Sequence, residues 1–151
     1  MIQIIPYQSR YQPQFKILNL EWLDKYGLTE EPDLKVLNDP EGTILAGGGV
    51  IFLAESQEEI VGTAALICEH DGIYELAKMA VRPDMQGKGI SKLLIEACLD
   101  AAREVQAKKL VLFSNSQLAT ALKLYEKYGF AYVKVEDSPF LTADIKMELS
   151  L

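Results

Sequence analysis

The segment from Ile73 to Ser114 constrains this chain more than any other. Ile73–Val81 is apolar and strand-like, and Lys109–Ser114 is a second such run. Between them Ile90, Leu93, Leu94, Ala97, Cys98, Ala101 and Val105 recur at helical spacing, which predicts a helix over 89–106. Two strands joined through a helix must run parallel, and the crossover is right-handed. A parallel pair needs cover on its faces.

The flanking segments supply the cover. Ile2–Ile5 is a short strand ending at Pro6. After Pro13, the residues Phe15, Leu18, Asn19, Trp22, Leu23 and Tyr26 fall on one helical stripe, closed by Gly27. A shorter helix is expected from about Pro32 to Asn38, and Gly42–Gly49 reads as a flexible loop. Val50–Ala54, Ile60–Cys68 and Ile73–Val81 form an antiparallel meander, with Asp71-Gly72 supplying the positive φ angles of a tight hairpin. Ser116–Tyr128 reads as a helix capped by Gly129, and Phe130–Val135 and Ala143–Leu149 as closing strands. The expected fold class is α/β (α+β). A mixed, mostly antiparallel sheet of six to seven strands carries about four helices and one parallel strand–helix–strand unit.

Length and charge narrow the function. At 151 residues the chain is expected to form a single domain, 1–151, with an ordinary globular balance of 49% apolar and 25% charged residues. A net charge of −7 argues against nucleic-acid and anionic-membrane partners. One histidine and two separate cysteines, Cys68 and Cys98, cannot assemble a zinc-type cluster, so no metal is expected. The N-terminus lacks the pattern of a signal peptide, and a cytoplasmic location is expected.

Chemistry can enter at Gln86-Gly87-Lys88-Gly89-Ile90-Ser91, between strand and helix. The first N–H groups of a helix lack internal partners and sit at the positive end of its dipole. Glycines let a ligand come close to the backbone, so the turn is a ready anion site. Lys78, Arg82, Lys88 and Lys92 lie nearby, opposed only by Asp84. From the glycines alone, a tight turn with a solvated basic rim is the better reading, since a lone Gly-x-Gly is a weak signal. A P-loop is excluded because Gly89 follows Lys88. A dinucleotide fingerprint is excluded because Lys92 stands where a small residue is needed.

The run from Glu75 to Leu94 resembles the acyl-CoA site of the GNAT superfamily of N-acyltransferases. That family's Arg/Gln-x-x-Gly-x-Gly/Ala signature is matched by Gln86-x-x-Gly89-x-Ser91, with Ser91 the one departure. Asn115 and Ala121-Leu-Lys-Leu-Tyr125-Glu-Lys-Tyr-Gly129-Phe130 resemble the family's second cofactor segment. The resemblance implies a GNAT-like fold and acetyl-CoA as cosubstrate. It implies that the N–H groups of Gln86, Gly87, Lys88, Gly89, Ile90 and Ser91 hold the pyrophosphate. The pantetheine arm would lie along Met79, Ala80 and Val81, near Ala121, with Asn115 hydrogen-bonded to it. The N–H near Met79 would polarise the thioester carbonyl.

A lysine-like amine is only ~0.04% neutral at pH 7, so a base is needed. Glu75 alternates with Ile73, Ala77, Met79 and Val81, an otherwise apolar phase where burial would raise its pKa. An exposed carboxylate after a turn is the alternative, and a bulge, usual here in the family, would reset the alternation. The resemblance makes Glu75 the candidate base and Tyr125 the candidate acid for the departing thiolate. Spacing alone reads Tyr125 as a core-facing tyrosine and Asn115 as a turn former. Trp22 and Tyr26 are candidates for the acceptor side, or plain core packing. Asp137-Ser138-Pro139-Phe140 could form a lip over the acceptor groove or a simple hairpin loop.

The expected activity is N-acetyl transfer from acetyl-CoA to a primary amine, on a small molecule or a peptide, by direct attack in a ternary complex. The alternatives are a non-catalytic acyl-CoA sensor or regulatory domain, and an α/β interaction module. The closing strands leave a homodimer possible.

Overall fold

The computed structural model of the protein describes residues 1–136 and 138–151. The chain forms β1 (Ile2–Pro6), α1 (Gln12–Lys25), α2 (Glu31–Asn38), β2 (Val50–Ser56), β3 (Glu59–His70) and β4 (Ile73–Val81). It continues through α3 (Ile90–Glu104), β5 (Lys109–Ser114), α4 (Ala119–Lys127), β6 (Ala131–Val133) and β7 (Ile145–Ser150). One seven-stranded sheet has the order β1-β2-β3-β4-β5-β7-β6. Every neighbouring pair is antiparallel except β4 and β5, as the crossover helix requires.

Each face of the sheet buries its own apolar cluster. On one face Ile90, Leu94, Ile95, Cys98 and Ala102 of α3 pack with Leu122 and Tyr125 of α4 against Val61, Leu76, Val81 and Leu110. On the other, Phe15 and Leu18 of α1 and Leu37 of α2 pack with Ile44, Ile51, Leu53 and Ala65. Gly62 lets α3 settle on β3. A Cβ there would stand 3.1 Å from Leu94 Cδ1 and 3.2 Å from Ile90 Cγ2.

Three local expectations need correction. Part of the 42–49 loop is helical: Glu41–Leu45 forms a π-helical turn, closed by Ala46 N–H donating to Glu41 O at 2.8 Å. Ile44 anchors it in the core, and Gly49 is needed for packing, since a Cβ there would fall 2.3 Å from Leu66 O. Second, α4 begins at Ala119, not Ser116, because Asp144 captures both the N–H (2.8 Å) and the hydroxyl (2.7 Å) of Ser116. Third, β6 stops at Val133, short of Val135.

Two irregularities in β4 matter most. First, Thr63 pairs with Ala80 but Ala65 with Ala77, so Lys78 and Met79 together oppose Ala64. This is a β-bulge, with Lys78 at φ +54°. Leu76 and Val81 consequently reach the same cluster under α3, which unbroken alternation forbids. The expected shared face of Glu75, Ala77, Met79 and Val81 therefore breaks at the bulge. Second, β4 and β5 pair only over 73–75 and 109–111. Beyond Glu75 the two strands part, and the β5-side edge of residues 76–81 has no strand partner among the described residues.

Because Gly62 sets the approach of α3, Gly62→Val should cost about 1–3 kcal/mol by overpacking. Urea denaturation would read this as a lower midpoint with an unchanged slope.

Candidate active site

The parting of β4 and β5 opens two chambers. The larger, about 450 Å³, runs from the bulge to the start of α3 and is bounded by α4. It is lined by Met79, Ala80, Val81, Gln86, Gly87, Gly89, Ile90, Ser91 and Ala121, residues that the sequence reading assigned to one cofactor site, and by Tyr125, the candidate acid. The smaller, about 120 Å³, lies between α1, α2 and the open end of the sheet. Glu75, Asp33, Lys78, Asn115 and Phe140 line it. Trp22, Met79, Leu118 and Tyr125 belong to both walls, so the chambers meet at the Tyr125 ring and the bulge.

The turn at the far end of the larger chamber has the properties of an anion cradle. Gly87 and Gly89 sit at φ +78° and +79°, and a Cβ on either would meet no atom within 4 Å. Gly89 is the N-cap residue of α3 and brings no side chain to cap the helix. Among the described residues no backbone carbonyl accepts a hydrogen bond from the N–H groups of residues 87–92. A diphosphate fits such a turn: the donors are free, the helix dipole is favourable and no side chain blocks the approach.

The basic surround differs from the one expected. Lys78 is not at the turn; its ammonium is buried in an ion pair with Asp33 Oδ1 at 2.6 Å. Arg82 is engaged by Asp84 and Glu59, at 2.6 and 2.8 Å. Lys92 remains on the chamber wall, and α4 adds Lys123 and Lys127, which sequence proximity could not reveal. Lys88 flanks the turn without lining the chamber.

Glu75 is 7% exposed. Its carboxyl is pushed up to about 8, chiefly by burial, then by hydrogen bonding and repulsion from Glu69; Lys78 opposes the shift and Asp33 adds to it. The exposed-carboxylate alternative is thereby overturned. Tyr125 is both a core residue and a chamber wall. Its ring meets Phe130 edge-on at 5.9 Å, and its phenol is pushed up to about 12 by burial, then by Cys98.

Asn115 lies in the smaller chamber, away from the turn. Its Nδ2 donates to Thr142 O at 2.7 Å and its Oδ1 accepts from Gln117 N–H at 3.0 Å. These bonds use one Nδ2 hydrogen and one Oδ1 lone pair, half of what the amide can make. Trp22 lines both chambers, but Tyr26 lines only the larger one, packed edge-on against Trp22 at 5.2 Å. Of the candidate lip, Asp137 lies outside the described residues. Phe140 places its ring 5.2 Å from Lys78 Nζ, while Glu30 accepts from the N–H groups of Leu141 and Thr142, both at 2.8 Å.

Sequence reasoning missed the polar relay that holds the bulge. Asn19 Nδ2 donates to Thr63 Oγ1 at 3.1 Å, and the Thr63 hydroxyl donates to Lys78 O at 2.7 Å. Asn19 on an apolar stripe and Thr63 inside an apolar strand were the available signals, since buried polar groups need partners.

Two outcomes follow from these electrostatics. Lys78→Met leaves Asp33 buried and unpaired and should cost about 3–5 kcal/mol, whereas Asp33→Leu combined with Lys78→Met should recover most of the loss. Chemical denaturation of the three proteins checks this. Glu75 is disfavoured as an anion in the folded state. The penalty is absent well below the usual carboxyl range, grows as pH rises and is complete above about 8. Glu75→Gln should match the parent at pH 4 and exceed its stability at pH 9 by roughly 2–4 kcal/mol in pH-resolved denaturation.

Known proteins carry the same architecture. A family model for the acetyltransferase (GNAT) domain matches residues 47–132. YjgM, an uncharacterized N-acetyltransferase of Escherichia coli (strain K12), is 32% identical over 93 residues, covering 62% of this chain and 48% of the relative. The chain thus spans about half the length of that relative. A GNAT-family acetyltransferase from Staphylococcus aureus Mu50 superposes over 99% of both chains with a TM-score of 0.91 at 23% identity. The PaiA N-acetyltransferase from Thermoplasma acidophilum, solved in complex with coenzyme A, gives 0.79 over 100% of this chain and 99% of its own, at 17% identity. With the family match spanning more than half of its residues, this chain belongs to the GNAT family of acetyltransferases.

Proposed function

We propose that this protein is an N-acetyltransferase that moves an acetyl group from acetyl-CoA to a primary amine by direct attack in a ternary complex. The observation that carries this reading is the junction of the two chambers. One ends at a turn of free N–H groups, the other holds a buried carboxyl of raised pKa, and they meet at Tyr125 and Met79. A volume of about 450 Å³ lies within the roughly 300–1,000 Å³ typical of ligand sites.

In this reading the N–H groups of residues 87–91 hold the diphosphate, supported by Lys92, Lys123 and Lys127. The pantetheine arm takes the place of the missing strand along the open edge of Met79, Ala80 and Val81, as peptides do when they extend a sheet. The Met79 N–H donates to the thioester oxygen as negative charge develops there. Glu75 takes a proton from the ammonium of the acceptor. The nitrogen attacks the carbonyl carbon, and Tyr125 gives its phenolic proton to sulfur as the C–S bond breaks. The second proton on nitrogen, relayed through water, restores the phenol. The products are an amide and free CoA thiol. Asn115 keeps its place beside the pantetheine arm in this reading, since its bonds to Thr142 O and from Gln117 N–H leave one Nδ2 hydrogen and one Oδ1 lone pair for it.

Glu75→Gln and Tyr125→Phe should each lower kcat by about 10²–10⁴ while leaving CoA affinity within a few-fold. Thiol release across an amine panel and CoA calorimetry measure the two quantities. The parent's kcat/KM should climb with pH and level off above about 8, whereas Glu75→Gln should lose that plateau and keep rising toward the amine's own range, about 10.4. Unchanged turnover in both variants would overturn the assigned roles, and CoA binding with no turnover on any amine would favour a sensor.

A further inference from the structure

The smaller chamber carries its own information about the acceptor, which rests on the acetyl-transfer reading above. Among its described lining residues only Asp33, Glu75 and Lys78 are charged. Asp33 and Lys78 are 4% and 6% exposed and joined at 2.6 Å, so they cancel each other. Asp33 is further committed through Oδ2, which accepts the Glu30 N–H at 2.9 Å. The Lys78 ammonium is covered by the Phe140 ring. Of the three, only Glu75 has no ion-pair partner of its own, and its neighbour Glu69 is a second carboxyl, not a cation. The remaining wall is largely apolar, with Leu23, Leu28 and Phe113 beside Trp22 and Phe140.

We infer that the acceptor presents a short aliphatic primary ammonium as its only charge inside the chamber. Glu75, when ionised, answers one positive charge. A carboxylate on the same or the next carbon would enter beside Glu75 and Asp33 with the one nearby cation already taken. Size agrees with charge. A cavity of about 150 Å³ admits benzene, so a chamber of about 120 Å³ takes roughly five heavy atoms. An aromatic ring is larger than that space and would have to extend out of it, toward the larger chamber. The same head is found on a free alkylamine and on the end of a lysine side chain.

The test uses the full chain with acetyl-CoA and reads kcat/KM by thiol release. The acceptors are methylamine through hexylamine, norvaline, phenethylamine and Nα-acetyl-lysine amide. The expected kcat/KM rises about fourfold per methylene up to butylamine and then levels off. Norvaline, which is butylamine with a carboxylate beside the amine, should fall at least about 100-fold below butylamine. Phenethylamine should fall below butylamine as well. Turnover of Nα-acetyl-lysine amide above butylamine identifies a peptide source, and the reverse order a free amine; either supports the inference. Asp33→Asn frees the Lys78 cation and should narrow the gap between butylamine and norvaline at least tenfold. The double variant Asp33→Leu, Lys78→Met, which keeps the chamber neutral, should preserve the gap. Norvaline turned over as well as butylamine, or no rise with chain length, overturns this inference while acetyl transfer stands. Acetyl-CoA binding without turnover of any amine overturns acetyl transfer itself, and this inference with it.

Discussion

The active architecture depends on one constraint: backbone N–H and C=O groups released from a sheet must find other partners. In β4 the inserted residue at Lys78 and the loss of β5 beyond Glu75 release such groups in the middle of the molecule. Leaving them buried and unpaired would be costly. The protein satisfies the Lys78 carbonyl with the Thr63 hydroxyl, and Asn19 of α1 holds that hydroxyl in turn. The other released edge faces the chambers. A thioester cosubstrate with amide groups along its arm can pair with it, so the defect in the sheet and the proposed binding mode are two aspects of one arrangement.

The bulge also separates two environments by side-chain direction. Before it, Glu75 stands beside Ile67 on the face covered by α1. After it, Met79 and Val81 reach the cluster under α3, whose first turn carries the free N–H groups. A regular strand would have placed Glu75, Met79 and Val81 on one face. One inserted residue lets the strand offer a carboxyl to one chamber and an apolar wall to the other. In the proposed reaction these are the sides from which the amine and the thioester arrive.

The fold was largely legible in the sequence because its main elements carry strong periodicity. The stripe of α3 and the apolar runs of β2 to β4 matched the observed elements to within a few residues. The glycine turn was legible for a local reason: Gly87 and Gly89 occupy positive φ angles that disfavour other residues. What failed was non-local. Counting Lys78 and Arg82 as part of a basic patch assumed that neighbours in sequence share a surface. In the folded chain Asp33 of α2 captures one, and Glu59 joins Asp84 on the other. Lys123 and Lys127 reach the chamber from α4 because α4 packs beside α3, which no local pattern encodes. Asn115 combines both kinds: the bond from Gln117 N–H is local turn chemistry, whereas the bond to Thr142 O joins residues far apart in sequence.

Glu75 and the Asp33–Lys78 pair show how stability and chemistry are divided in this site. An ion pair so deeply buried contributes little net stability compared with an apolar pair of similar size. Its effect is to cancel two charges beside Glu75 and to hold α2 against the bulge, while Glu30 of the same helix start grips Leu141 and Thr142. Glu75 itself is destabilising when ionised, because burial disfavours the anion. A carboxyl that cost nothing to ionise would sit in the ordinary range and be a weak base for an ammonium. The burial that weakens the fold above about pH 8 is the same burial that brings its basicity closer to that of an amine. In the proposed mechanism the surrounding core, Phe15 and Leu18 on one face and the α3 cluster on the other, stabilises the protein enough to carry that cost.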